Sequence, residues 1–320
     1  MIIAIPDDYH NLVRTLDCMH LLEGHDVRIF NDAAPTTDTL VRNLSGAEII
    51  VPIRERTRFS ADLIRRLPKL KLFSQTGRSC HHIDLEACNA HGIAVAAGSH
   101  ASPYTVAEQT WAMILGSLRE IPAETALMKA GHWRKRFSFG LKGRTLGIYG
   151  LGTIGKLVAA TGASFGMRVL VWGRDNSLAA ARAAGYDTAS GSEQLFTESD
   201  VLVLMLRLSK DTRGLVTADD LARMKPSALL VNTARAELIA PGALASALKA
   251  GRPGYAAVDV YEHEPVLDGR HPLLELDNAL CTHHSAWLER ETYELYFGEA
   301  FANAAAFAAG RPLRLVNQPA

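Results

Sequence analysis

The sequence predicts a two-domain α/β protein built on parallel sheets, and three observations carry that expectation. Short apolar runs alternate with helix-compatible stretches along nearly the whole chain. A glycine turn, Gly150-Leu-Gly152-Thr-Ile-Gly155, stands between an apolar run and an alanine-rich one. And roughly 140 residues, with an alternation of their own, precede that turn, which is the size of a separate domain.

The first hundred residues read as a small α/β domain. Strand-like runs at Ile2–Ile5, Asp26–Phe30, Ala47–Pro52, Leu70–Gln75 and Ile93–Ala96 are bounded by Pro, Gly or Asp. Helices are expected between them over Tyr9–Leu22, Ala61–Arg66 and Leu85–His91. Tyr104–Arg119 reads as a longer amphipathic helix, and Lys129–Gly143 as a polar loop carrying aromatic residues. A second alternation follows, with strands at Arg144–Tyr149, Arg168–Trp172, Val201–Leu206, Ala228–Asn232, Tyr255–Val260 and Ala279–Thr282. Strands this uniformly apolar are covered on both faces, as in a parallel sheet with helices on each side. The helices expected there are Lys156–Phe165, Ala218–Met224 after Thr217, and Pro241–Lys249, with proline in its first turn and Gly251 past its end. A last helix, Glu289–Ala309, is long enough to return over the first domain. The expected division is residues 1–99 with 289–320 as a substrate domain and 100–288 as a nucleotide domain.

Composition narrows the function. Hydrophobic residues make up 48% of the chain and charged residues 21%, ordinary for a soluble globular protein. Thirty-four basic residues balance 34 acidic ones, so no net field draws nucleic acid or an anionic membrane. Cys18, Cys80, Cys88 and Cys281 show no metal-ligand spacing and read as free thiols of a reducing cytoplasm. The start MIIAIPDD has neither the basic region nor the apolar length of a signal peptide or membrane span.

The glycine turn has the context that a dinucleotide fingerprint requires. Gly150 makes a tight turn after a strand, Gly152 lets the backbone approach a pyrophosphate, and Gly155 lets the helix pack on the strand. The helix start at Thr153 and Ile154 then offers N–H groups and a positive dipole end to the phosphates. A Rossmann-type doubly wound sheet follows from this turn and the strands after it.

In an open α/β sheet, ligands sit beyond the carboxyl ends of the strands. The residues expected there are Thr233, Ala234 and Arg235 after one strand, Asp259 and Glu264 after the next, and His283 and His284 after the last. A guanidinium, a carboxylate and an imidazole at one rim make the set needed for hydride transfer to a 2-keto acid. Arg grips the carboxylate and polarises the carbonyl. His delivers a proton to the developing alkoxide, and a carboxylate beside the ring orients it and favours its charged form. Singly, each has a plainer use as a surface ion pair, a solvated acid or a core histidine. Three in register at successive strand ends make the plainer reading improbable.

The runs MKPSALLVNTAR, AAVDVYEHEP and CTHHSAW resemble signature segments of the D-2-hydroxyacid dehydrogenase family. LFSQTGRSCHHIDLEACNAHGIAV and SPYTVAEQT are similar to its substrate-domain segment and bridging helix. The resemblance covers nearly the whole chain. It implies a smaller flavodoxin-like substrate domain beside the Rossmann-type one, with the cleft between them, a small-molecule 2-hydroxy or 2-keto acid as substrate, and a homodimer. It implies Arg235, Glu264 and His284 as the catalytic set, and Asp259 as the residue that holds the nicotinamide carboxamide. Backbone amides of Ser79 and Cys80 would bind the substrate carboxylate. His283 stands where the family has proline, so the choice of His284 rests on Ser285-Ala286, which follow as the family's small residues do; Ala286 is counted with the cofactor contacts. Ser79 replaces a glycine, and Met205 and Arg207 replace a common His and Pro.

Cofactor choice is read at the strand tip RVLVWGRDN. Gly173 stands where NAD-preferring members carry an acid, and Arg174 follows, which favours NADP over NAD; Asp175 keeps NAD open as the alternative. For the substrate side chain, Arg54 or Arg56 at the end of Ala47–Pro52 would select an acidic or polar tail, and Trp287 would wall the pocket. Two rival classes compete: a nucleotide-sensing protein of the same fold, as among the family's corepressor relatives, and a methyltransferase on a similar sheet. The complete Arg235, Glu264 and His284 set speaks against the first, and the long preceding domain against the second.

Overall fold

The computed structural model describes residues 1–100, 102–133 and 137–318. They form two compact units, Met1–Ser102 with Leu288–Ala320, and Pro103–Trp287.

In the first unit, five strands form a parallel sheet: β1 (Ile2–Ile5), β2 (Asp26–Ile29), β3 (Ile49–Ile50), β4 (Leu72–Gln75) and β5 (Ala94–Ala97). Their order is β2-β1-β3-β4-β5, the flavodoxin-like arrangement. Most of their residues are buried, with Ile3, Ile49, Ile50, Leu72, Phe73 and Val95 fully so. The final helix, Arg290–Ala308, packs on β4 and β5 and on the Asp17–Leu22 segment. Its Tyr293, Phe297 and Phe301 are buried on that face.

The Tyr9–Leu22 helix expected from sequence is instead two short 3-10 turns, Val13–Thr15 and Asp17–Leu22. Asp7 and Asn11 adopt left-handed backbone, and the buried Asp8 carboxylate accepts the N–H groups of Leu12 and Val13, so the chain turns where a helix would begin. A side chain competing for backbone amides overrides the helical pattern here.

The second unit holds seven parallel strands: β6 (Thr145–Tyr149), β7 (Arg168–Trp172), β8 (Asp187–Thr188), β9 (Val201–Leu204), β10 (Leu229–Asn232), β11 (Tyr255–Val258) and β12 (Ala279–Cys281). The order β12-β11-β10-β9-β6-β7-β8 reverses at β6, which pairs with β7 on one side and β9 on the other. That reversal is a topological switch point, where an open sheet leaves a crevice at its carboxyl edge. Two apolar cores cover the two faces, one around Phe196, Leu221 and Leu244, the other around Trp111, Ile114 and Val158.

Several elements differ from expectation. The helix after Pro241 begins at Ala243, because Gly242 takes a left-handed conformation and leaves the proline outside. A helix at Ile121–Lys129 stands where none was expected, with no buried residue. The expected polar loop 129–143 lies partly outside the described residues. Helices Asp175–Ala183 and Ser192–Glu198 and the two-residue β8 were not anticipated.

The first unit ends its sheet on a buried carboxylate. Glu299, on the final helix, accepts from the Ser99 N–H and hydroxyl and from the His100 N–H, with the His100 ring 2.8 Å away. Burial alone would raise its carboxyl. The Ser99 hydroxyl, the His100 ring and the two backbone N–H groups outweigh that and bring it down to about 2. A depressed acid stabilises the fold above its unfolded value and loses that contribution as pH falls through its folded one. Glu299→Gln should therefore cost about 1.5–3 kcal/mol at pH 7, the range for bonds to a charged group. The difference from the parent should shrink as pH falls from about 4.5 toward about 2. Urea unfolding at several pH values measures it, and a pH-independent difference would contradict the assignment.

Candidate active site

The glycine turn closes directly onto the switch point. Gly150 follows β6 with φ +96°, and a Cβ there would lie 2.9 Å from the Met205 carbonyl, which follows β9. Its N–H donates to the Trp172 carbonyl at the end of β7. Helix Thr153–Ser164 starts at once, and a Cβ on Gly155 would lie 2.6 Å from the Gly150 carbonyl oxygen. Gly152 is the N-cap without a side-chain cap, and a Cβ built on it meets no atom within 4 Å. The first amides of Thr153 and Ile154 thus stand at a helix N-terminus bordered by open space, which suits a pyrophosphate. The residues present fit a dinucleotide.

Ser177 supports this turn, its hydroxyl accepting the Leu151 N–H at 3.1 Å. Gly173, at the tip of β7, passes within 3.4 Å of Gly150 by the same Cβ construction. Arg174 is highly exposed, 3.9 Å from the equally exposed Asp211, a pair weakened by water. Asp175, also exposed, opens helix Asp175–Ala183.

The strand ends bring the expected polar residues together. After β12, the His284 ring Nδ1 lies 2.6 Å from Glu264 Oε2, and both side chains are about a quarter exposed (24% and 29%). Burial by itself would raise the Glu264 carboxyl. The His284 hydrogen bond and charge, the Tyr261 N–H and the charge of Arg235 outweigh it and hold the group below the usual carboxylate range. Arg235 follows β10, its Nη1 donating to the Ala234 carbonyl. Asn232, the buried last residue of β10, shapes that turn: its amide nitrogen donates to the Arg235 carbonyl and its oxygen accepts the Ala234 N–H. Thr233 is buried and bonds the Thr110 hydroxyl at 2.8 Å.

Asp259 is fully buried. Its Oδ1 accepts from the Thr282 hydroxyl and the Ser285 N–H, and Oδ2 from the Ala286 N–H at 2.8 Å. Most of the capacity of this carboxylate goes to the turn that carries His284, whose backbone is left-handed at φ +54°. Ala286 and Trp287 are both buried.

Arg54, Ser79 and Cys80 belong to the first unit. Arg54 has left-handed backbone, with its N–H bonded to the Thr76 hydroxyl and its carbonyl to the Gln75 amide. Arg56 is committed locally: Nη1 donates to the Asp7 carbonyl, and the guanidinium lies 4.7 Å over the Tyr9 ring. Ser79 and Cys80 are half-buried in the turn after β4.

Asn232, Ser177 and Tyr261 were not singled out from sequence. Only Asn232 left a signal, as an amide ending an otherwise apolar buried strand.

A parallel sheet with a glycine-rich switch point, and an imidazole–carboxylate pair at its carboxyl edge, is a Rossmann-type scaffold of the class that takes dinucleotides. Residues 111–286 match the NAD-binding domain of the D-isomer specific 2-hydroxyacid dehydrogenases. The chain is 37% identical over 251 residues to the D-3-phosphoglycerate dehydrogenase of Methanocaldococcus jannaschii, covering 78% of this chain but only 47% of that one. It thus spans about half the length of that relative. It is 33% identical over 309 residues to the glyoxylate reductase of Aeropyrum pernix, covering 93% of this chain and 91% of that one. Among solved structures, the phosphoglycerate oxidoreductase of Vibrio cholerae O395 superposes with a TM-score of 0.93 at 46% identity, covering 97% and 99% of the two chains. The chain belongs to the D-2-hydroxyacid dehydrogenase family.

Proposed function

We propose that this protein is an NAD(P)-dependent oxidoreductase that interconverts a D-2-hydroxy acid and a 2-keto acid. The 2.6 Å bond between His284 and Glu264, with Arg235 at the neighbouring strand end, carries the reading. When bound, the nicotinamide supplies or receives the hydride. Nδ1 of His284 is engaged by Glu264, so Nε2 is the ring atom that exchanges a proton with substrate. In reduction the imidazolium gives that proton to the carbonyl oxygen as it becomes a hydroxyl; in oxidation the neutral ring takes it back. Glu264 is ionised beside it and fixes the orientation of the ring. Arg235 binds the substrate carboxylate and carbonyl through its forked donors. For the dinucleotide, Gly150, Gly152, Thr153, Ile154 and Gly155 take the pyrophosphate, and Thr233, Ala234, Asp259 and Ala286 the nicotinamide side.

On the substrate side the reading rests on resemblance: Ser79 and Cys80 amides for the carboxylate, Arg54 and Trp287 for the variable end. In this reading residues 1–99 with 289–320 serve the substrate and 100–288 the cofactor. Four free cysteines suit a reducing compartment such as the cytoplasm. Among the described residues, no helix is long and apolar enough to cross a membrane.

His284→Ala should lower turnover by roughly 10²–10⁴-fold, the usual worth of general acid–base catalysis, with dinucleotide affinity little changed. Glu264→Gln removes the ionised acceptor that fixes the ring at 2.6 Å, so turnover should fall while dinucleotide affinity holds. Assays of a panel of 2-keto acids across pH, with each variant, test both. Full activity in His284→Ala would overturn the proposal.

Gly173 and the exposed Arg174 favour NADP(H): glycine, not an acid, ends β7 at position 173, and the guanidinium of Arg174 is exposed to bind a 2′-phosphate beside the solvent-exposed Asp211. Arg174→Ala should weaken NADPH by about 1.5–3 kcal/mol relative to NADH. Equal losses, measured by fluorescence titration, would exclude that role and favour NAD.

A homodimer completes the proposal. Helix Ile121–Lys129 buries none of its residues, and Ile121 (52% exposed), Met128 (58%) and Trp133 (81%) leave an apolar surface that a second copy would cover. Light scattering should give twice the chain mass of 34.7 kDa; a single mass would contradict it.

A further inference from the structure

We infer that Tyr261 is a positioning residue for the His284–Glu264 pair, holding both partners from one buried side chain and its own backbone. The inference rests on the reading of His284 as proton donor. Tyr261 lies three residues past the end of β11 and is 8% exposed. Its N–H donates to Glu264 Oε1 at 2.9 Å, the oxygen not used by His284. Its hydroxyl donates to the Thr282 carbonyl at 2.8 Å, two residues before His284. One residue therefore touches the carboxylate directly and the histidine-bearing turn directly.

The ring is braced as well. His271 stands edge-on to it with centroids 5.0 Å apart, and His271 Nε2 is 3.1 Å from Glu262. The tyrosine hydroxyl thus acts from a fixed position. Asp259 pulls the same turn from the other side through Thr282, Ser285 and Ala286. The turn needs such ties because His284 is a non-glycine residue in left-handed backbone, a conformation that relaxes unless its surroundings hold it. Asp259 fixes amides and hydroxyls of the turn, and the Tyr261 hydroxyl fixes its entering carbonyl.

Tyr261→Phe keeps the ring and its packing and removes the hydroxyl's bond to the Thr282 carbonyl, together with its contact to the Cys281 thiol. The Glu264 bond to the backbone N–H persists, so the loss falls on the alignment of His284 with Glu264. The kcat for keto-acid reduction should fall about three- to tenfold, the worth of one such bond, with the KM for dinucleotide unchanged. The deciding readout needs no turnover: the Nδ1–H signal of His284, bonded to Glu264 at 2.6 Å, should move upfield and exchange faster with water in Tyr261→Phe than in the parent, followed by proton–nitrogen NMR of the whole protein. An unchanged Nδ1–H signal overturns the inference. Failure of the unsubstituted protein to turn over any 2-keto acid would instead overturn the proposed function, and the ring signal would still decide the role of Tyr261.

Discussion

The candidate site depends on one buried carboxylate. Asp259 sits just past β11 with no exposure, and its oxygens gather the Thr282 hydroxyl and the amides of Ser285 and Ala286. Burying an ion is costly unless donors replace water, and here two backbone N–H groups and a hydroxyl do so. The same bonds hold the 282–286 turn against the end of β11, and with it the left-handed backbone of His284. Without this anchor, the strain at His284, of order 1–3 kcal/mol for such a residue, would relax and carry the ring away from Glu264.

That constraint explains why the polar residues occupy such different surroundings. Asp259 and Asn232 are almost fully buried, and both spend their hydrogen-bonding capacity on shaping turns. Glu264, His284 and Arg235 come one step further out, partly exposed, where a small molecule can reach them. The sheet supplies the ordering. Parallel neighbours β10, β11 and β12 end side by side, so residues a few places past each end meet without long loops.

This geometry also accounts for what could be read from sequence. The glycine turn, the apolar strands of the second sheet and the residues a few places past β10, β11 and β12 were visible, because local spacing and a parallel sheet place them. Tyr9–Leu22 read as a helix because its apolar spacing fits one; the competing Asp8 carboxylate and the left-handed Asp7 and Asn11 act through geometry that spacing does not encode. The Ile121–Lys129 helix escaped notice because none of its faces is buried, which removes the pattern by which helices are recognised. In the site, Tyr261 and Asn232 were silent for another reason. Their contacts reach from one strand end to the next or fold back on the turn beside them, and neither carries a charge that marks it for chemistry.

The turn that carries His284 shows the same logic. Thr282, His283, Ser285 and Ala286 flank the histidine, and no proline ring within the turn fixes the backbone entering it. The turn is nevertheless closely tied: Asp259 holds it by four donors, and the Tyr261 hydroxyl caps the carbonyl just before His283. Hydrogen bonds from the neighbouring strand end supply the restraint on the turn. Restraint of that kind differs in character, since it is made of side chains that report on each other. The position of the imidazole is coupled to β11 through Asp259, Tyr261 and Glu264, and a change at any of the three is felt by the same ring.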